Sequence, residues 1–183
     1  MFGTTSSDQN LILTGYVGPG QLAIARRVGE RLRMPFVDFD SVFEQRAGMP
    51  GAEMRALYGE ARLKTLEVEL LQEVALYRGT AIHISGQTLM HSNNLARMRE
   101  TGQIICIVAS LDATLQRLHL ALGARFHNPR ERELALGTLR REWAIRKCEG
   151  IVELDTSYMT EDQMVEAIAS RWRELSGAID WRV

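Results

Sequence analysis

A short apolar run, Leu11–Thr14, leads directly into a glycine-rich turn, Gly15-Tyr16-Val17-Gly18-Pro19-Gly20. Helical spacing follows at once, with Leu22, Ala25, Val28 and Leu32 on one stripe and arginines between them. A strand, a glycine turn and a helix in that order form the opening of a parallel α/β unit, and the rest of the chain keeps the alternation. Strands are expected at Pro35–Asp38, Thr80–Ser85, Ile104–Ala109 and Ile151–Leu154. Helices are expected over Glu53–Tyr77 with a break near Gly59, then Asn94–Glu100, Asp112–Leu120, Glu133–Glu149 and Thr160–Leu175. Thr160 with Gln163 reads as a capping box for the last of these. Strands apolar on both faces, separated by helices, imply a sheet covered on two sides. Ligands of such sheets sit at the carboxyl ends of the strands, so the turns after Thr14, Asp38, Ser85 and Ala109 are the places to look.

The first turn matches the phosphate-cradling pattern G-x-x-x-x-G-K-[ST] at Gly15 and Gly20 and departs from it at the next two positions. Gln21 stands for the lysine and Leu22 for the hydroxyl residue. A charge pair at ~4 Å with an effective dielectric near 20 is worth roughly 4 kcal/mol before desolvation, and an amide does not replace it. Loss of one donor aimed at transition-state charge costs about 10²–10³ in rate. Leu22 has no oxygen for Mg²⁺, and Pro19 has no N–H. Gly15, Gly18, Gly20, Gln21 and Leu22 are the candidate nucleotide-binding positions, with the remaining amides at the helix N-terminus as a modest anion site. A ligand-free strand-to-helix turn is the plainer alternative.

Composition bounds the rest. Twenty-two basic against twenty-three acidic residues, net −1, argue against a grossly basic nucleic-acid binder. All the basic residues but Lys64 and Lys147 are arginines. No apolar run approaches the ~20 residues of a membrane span, and the first residues do not read as a secretory signal. Cys106 and Cys148 make neither a disulfide framework nor a metal set, so a cytoplasmic setting is expected. One domain over 1–183 is expected, with 1–9 frayed.

Over roughly Asn10 to Leu175 the chain resembles the shikimate kinases, in the nucleoside-monophosphate-kinase-like group of phosphate-loop proteins. The likeness lies in Asp38-Phe39-Asp40 after the second strand, in Gly59-Glu60-Ala61-Arg62-Leu63-Lys64 opening a long helix, and in Ser85-Gly86-Gln87 where the family has a glycine triplet. It continues in the lid region Gly123–Asn128 and at Arg141. The resemblance implies a three-layer α/β/α sandwich with a five-stranded parallel sheet in the order 2-3-1-4-5. It implies that Asp38 helps hold Mg²⁺ through water, and that Asp40 meets the substrate hydroxyls as a candidate base. It places Lys64, Gly86 and Arg141 at the substrate and makes Arg125 the lid arginine. Lys64 keeps a charge but loses an arginine's bidentate fork.

The departures fall at the phosphate end, while the acceptor end keeps compatible residue types. The expected function is a shikimate-kinase-like protein that has lost phosphoryl transfer and keeps a cleft for a small anionic ligand or a nucleotide. MgATP is a cofactor only if the altered loop still binds it. Two alternatives stand: an active kinase with Arg125 in place of the missing lysine, and an acyl-CoA-type sensing domain, which the apolar stretch Leu118–Phe126 would suit. That stretch also reads as a continuing helix. His83 reads either as a hydrogen-bonded buried histidine or as a ligand contact, Cys106 as a small core residue, Trp172 as core, and Trp181 as surface or interface.

Overall fold

The computed structural model describes residues 8–177, so the expectations for residues 1–7 and for Trp181 lie outside the described residues. The five strands are β1 (Asn10–Gly15), β2 (Phe36–Asp38), β3 (Ala81–His83), β4 (Gly102–Val108) and β5 (Val152–Asp155). They form one sheet in the order β2-β3-β1-β4-β5, with every pairing parallel. The expected fold class and strand order are those observed.

Strand periodicity divides the core in two. Successive side chains point to opposite faces of a strand. Leu11, Leu13, Ile105 and Ile107 therefore enter one apolar cluster, with Ile24, Val28, Ile168 and Trp172 of α1 (Gln21–Leu32) and α8 (Glu161–Ser176). Ile12, Ile104, Cys106 and Val108 enter the other. There they meet Phe39 and Phe43 of α2 (Phe39–Ala47) and Leu63, Leu70 and Val74 of α3 (Gly51–Val74). The remaining helices are α4 (Gly86–Leu89), α5 (Asn94–Arg99), α6 (Leu111–Leu122) and α7 (Pro129–Trp143).

Local chemistry sets the boundaries. The Thr160–Gln163 capping box is formed in both directions. Gly59 interrupts α3 with φ 86°, the break expected from the sequence. Some boundaries differ from expectation. α7 begins at Pro129 because Asn128 caps it and proline is well placed in a first turn. It ends at Trp143, and Ala144–Lys147 tightens into a 3₁₀ turn. α6 stops at Leu122, where Gly123 takes φ 55°, so the apolar stretch is not one continuing helix. Residues Gly123–His127 form a 3₁₀ turn in which Phe126 packs at a tilt on His119 of α6 and His127 meets both rings edge-on. Among the described residues no helix is long and apolar enough to cross a membrane.

Candidate functional site

The glycine turn leaves the carboxyl end of the central strand, as expected. Gly15 is required there. Its φ is 96°, and a Cβ would lie 2.2 Å from the Ile107 carbonyl oxygen. Gly20 caps α1 in the left-handed region with no side-chain capping bond.

Gln21 opens α1 and is 6% exposed. Its side chain folds back into the loop it follows. Oε1 accepts from the Val17 N–H at 3.0 Å, and Nε2 donates to the Gly15 carbonyl at 2.8 Å. The loop is held on its other sides too. Trp143 Nε1 donates to the Tyr16 carbonyl at 3.0 Å, and Arg117 Nη1 to the Val17 carbonyl at 3.3 Å. Thus the Val17 amide, one of the donors a phosphate cradle would offer, is already used inside the protein. Leu22 is partly exposed and carries no polar atom.

Gln21 also begins a polar chain along the ends of the strands. Its Nε2 lies 3.3 Å from His83 Nε2, and His83 Nδ1 lies 2.9 Å from Asp38 Oδ1. Since both loop bonds orient the amide with Nε2 toward the ring, the facing ring nitrogen accepts and Nδ1–H donates to Asp38. His83 is therefore the hydrogen-bonded histidine of the two readings. The other Asp38 oxygen accepts from the Ser41 N–H at 3.1 Å and the Ser41 hydroxyl at 2.6 Å, capping α2. Burial raises the Asp38 pKa, but the His83 and Ser41 bonds outweigh it and the net shift is downward. Both oxygens that were to meet a metal's water shell are engaged within the fold. Among the described residues no group of three or more His, Cys, Asp or Glu side chains is arranged to hold a metal ion.

Beside this chain opens a cavity of about 330 Å³. α2 supplies Asp40, Phe43 and Glu44, and α3 supplies Arg55, Leu63 and Glu67. Ser85 and, from α4, Gln87 and Thr88 line it too, and α7 supplies Glu142. Glu67 accepts from the Thr88 hydroxyl at 3.1 Å and pairs with His91 Nδ1 at 2.5 Å. Glu142 Oε2 accepts from the Gly86 N–H at 2.5 Å. A Cβ on Gly86 would come within 2.7 Å of the Glu142 carbonyl, so glycine lets α4 approach α7. Burial, followed by the charge of Asp38, raises the pKa of Asp40, although its side chain still meets solvent. Burial also raises Glu142, against the Gly86 bond, and the Asp40 charge adds to it.

The expected site residues thus separate into groups. Gly15, Gly18, Gly20 and Gln21 form the loop, and Asp38 joins it through His83. Asp40 lines the cavity, and Gly86 borders it through its bond to Glu142. Lys64 and Arg141 are not among the lining residues. Lys64 Nζ stands 3.8 Å from Glu60, and Arg141 donates to the Thr138 hydroxyl at 3.2 Å. Arg125 is 68% exposed and pairs with Glu131 at 3.0 Å. Cys106 is fully buried, and its thiol is pushed up to about 12, mainly by burial.

Sequence reading missed Arg55, Glu67, Glu142, Trp143 and Arg117. Glu67 left a trace, a carboxylate set one turn from Leu63 and Leu70 on the apolar stripe of α3. Glu142 left none, since its role depends on α7 meeting α4.

A parallel five-stranded sheet in this order, with a glycine loop after its central strand, defines a phosphate-loop kinase-like α/β protein. A family model described as shikimate kinase matches residues 17–173. The chain belongs to the shikimate kinase family, whose members are phosphotransferases acting on an alcohol group with MgATP. Shikimate kinase of Thermodesulfovibrio yellowstonii is 27% identical over 171 residues, 92% of this chain and 97% of that one. That of Geobacter sulfurreducens is 31% identical over 113 residues, 62% of each chain. Two solved structures share the fold. Shikimate kinase from Acinetobacter baumannii in complex with shikimate superposes with TM-score 0.73 at 18% identity, covering 96% of this chain and 97% of that one. The enzyme from Bacteroides thetaiotaomicron gives 0.71 at 23%, covering 91% and 97%.

Proposed function

We propose that this member of the shikimate kinase family has lost phosphoryl transfer and acts by binding a small molecule in the cavity between α2, α3, α4 and α7. The observation that carries this reading is the position of Gln21, whose amide bridges Val17 and Gly15 inside the phosphate loop. In a working loop the corresponding lysine reaches out to the β- and γ-phosphates. Here the side chain reaches inward, brings no charge, and occupies a backbone donor. Leu22 offers Mg²⁺ no oxygen, Pro19 offers no N–H, and both Asp38 oxygens are bonded to His83 and Ser41. These residues do not fit a magnesium-bound triphosphate. The acceptor side keeps an open cavity with Asp40 on its wall.

Calorimetric titration with MgATP tests the reading. The native protein is expected to show no binding at micromolar nucleotide and no ADP release with shikimate present. The double variant Gln21→Lys, Leu22→Ser is expected to gain at least about tenfold in MgATP affinity, because a unit charge and a metal-directed hydroxyl return together. Micromolar MgATP binding by the native protein would overturn it.

A further inference from the structure

Two adjacent residues of α7 reach to opposite ends of the site. The phosphate loop leaves β1 and the Ser85–Gly86 turn follows β3, and these strands are direct neighbours in the sheet. α7 bonds to both exits. Glu142 lines the cavity, and its Oε2 accepts from the Gly86 N–H at 2.5 Å. Trp143 Nε1 donates to the Tyr16 carbonyl at 3.0 Å. Leu139, three and four residues earlier, shares their face of the helix and is buried. Ile145, just beyond them, is fully buried, and a Cβ on Gly86 would meet it at 3.1 Å. Arg146 lays its guanidinium 5.4 Å from the centre of the Trp143 ring and pairs with Glu153 of β5.

We infer that α7 is a strap that couples the cavity to the phosphate loop, so that release of Gly86 by Glu142 and release of Tyr16 by Trp143 occur together. Its use by a ligand rests on the reading that the cavity binds a small molecule. A ligand oxygen that takes the Gly86 amide must displace Glu142, and it thereby shifts the strap towards its released state. The loop then keeps its bonds to Gln21 and Arg117 and loses the one to Trp143. The coupling is reciprocal, so whatever opens the loop also weakens the hold on Gly86.

Three observations support it. Gly86 meets the backbone of α7 as well as the Glu142 side chain, since a Cβ there would lie 2.7 Å from the Glu142 carbonyl oxygen. A change of rotamer at Glu142 therefore does not free the turn, and the helix itself must move. The Glu142 contact is displaceable, because burial raises the pKa of this carboxyl against the Gly86 bond. The two ends also sense each other directly, since the Tyr16 phenol is raised first by burial and then by the charge of Glu142.

Amide hydrogen exchange on the intact protein, with no ligand added, tests the coupling by reading each variant at the end it does not touch. Glu142→Ala is expected to speed exchange of the Val17 N–H, which Gln21 holds, by about tenfold or more. Trp143→Phe keeps a ring but loses the donor, and is expected to speed the Gly86 N–H to a similar degree. Glu142→Gln keeps an acceptor for Gly86 and is expected to leave Val17 at its native rate. Ile168 of α8, buried on the other face of the sheet, is the reference for global unfolding. Acceleration confined to the near end in either variant would overturn the strap. So would equal acceleration at Ile168, which would mean a loss of overall stability alone, or Val17 exchange as fast in Glu142→Gln as in Glu142→Ala. The outcome does not depend on nucleotide. Micromolar MgATP binding by the native protein would overturn the loss of phosphoryl transfer and leave the strap standing.

Discussion

Asp38 and Asp40 sit two residues apart and carry opposite shifts. Asp38 is bonded by His83 and Ser41 and caps α2, so its charge is welcome in the folded state. Its folded pKa lies below the unfolded value, so its contribution is present above that value and is lost as pH falls through the folded one. Asp38→Ala is expected to cost about 1–3 kcal/mol at neutral pH, from the cap and the lost partner of His83, with the difference shrinking under acid. Chemical denaturation across pH measures this. For Asp40 and Glu142 the sign reverses. A carboxyl with a raised folded pKa holds its proton better when folded, so ionisation at neutral pH works against the fold. Asp40→Asn and Glu142→Gln are therefore expected to melt above the native protein at neutral pH, and the gain should vanish below the unfolded carboxyl range. A fall in melting temperature would contradict the burial that raises both groups.

Elements are joined here by backbone contacts that only some residues permit. β1 and β4 pair so closely at the loop that the Gly15 position has no room for a side chain. Gly20 has a similar φ, 94°, but open space around it. Gly15→Ala should cost at least about 3 kcal/mol, since a clash with main chain adds to left-handed strain. Gly20→Ala should cost only about 1–2 kcal/mol, the strain alone. Equal losses in a urea titration would mean that the clash is relieved by a shift of β4. At the other end of the site, α7 serves two elements at once. Glu142 holds the start of α4, and Trp143 holds the loop through Tyr16. The loop and the cavity are thereby tied to one helix.

The whole molecule is a sheet with a separate apolar cluster on each face. The two clusters share β1 and β4, so neither can open at those strands without exposing the other. Ile12→Ala strikes one face and Leu13→Ala the other, each at a fully buried position. Each is expected to cost about 2–5 kcal/mol without changing the denaturant dependence of a single unfolding transition. Two resolved transitions in either variant would show that the faces unfold separately. Surface ion pairs such as Arg31 with Glu166, which link α1 to α8, are solvent-exposed and contribute little beside this.

Much of this architecture was legible in the residues themselves. The apolar runs Leu11–Thr14 and Ile104–Ala109, the glycine turn, the break at Gly59 and the Thr160 cap are local signals, because steric limits and hydrogen-bond geometry act over a few residues. The altered loop positions were legible for the same reason, since Gln21 and Leu22 lack a charge and a hydroxyl in any fold. Where the Gln21 amide points was decided only by the tertiary structure, since its placement involves β1, the loop and His83 of a strand about sixty residues away. The charge of the cavity was decided there too. Asp40, Glu67 and Glu142 are scattered across a hundred residues, and Lys64 and Arg141, though well placed in sequence, turn to other partners. Electrostatics acts through space, so the sign of a site emerges only when distant helices are brought to share it.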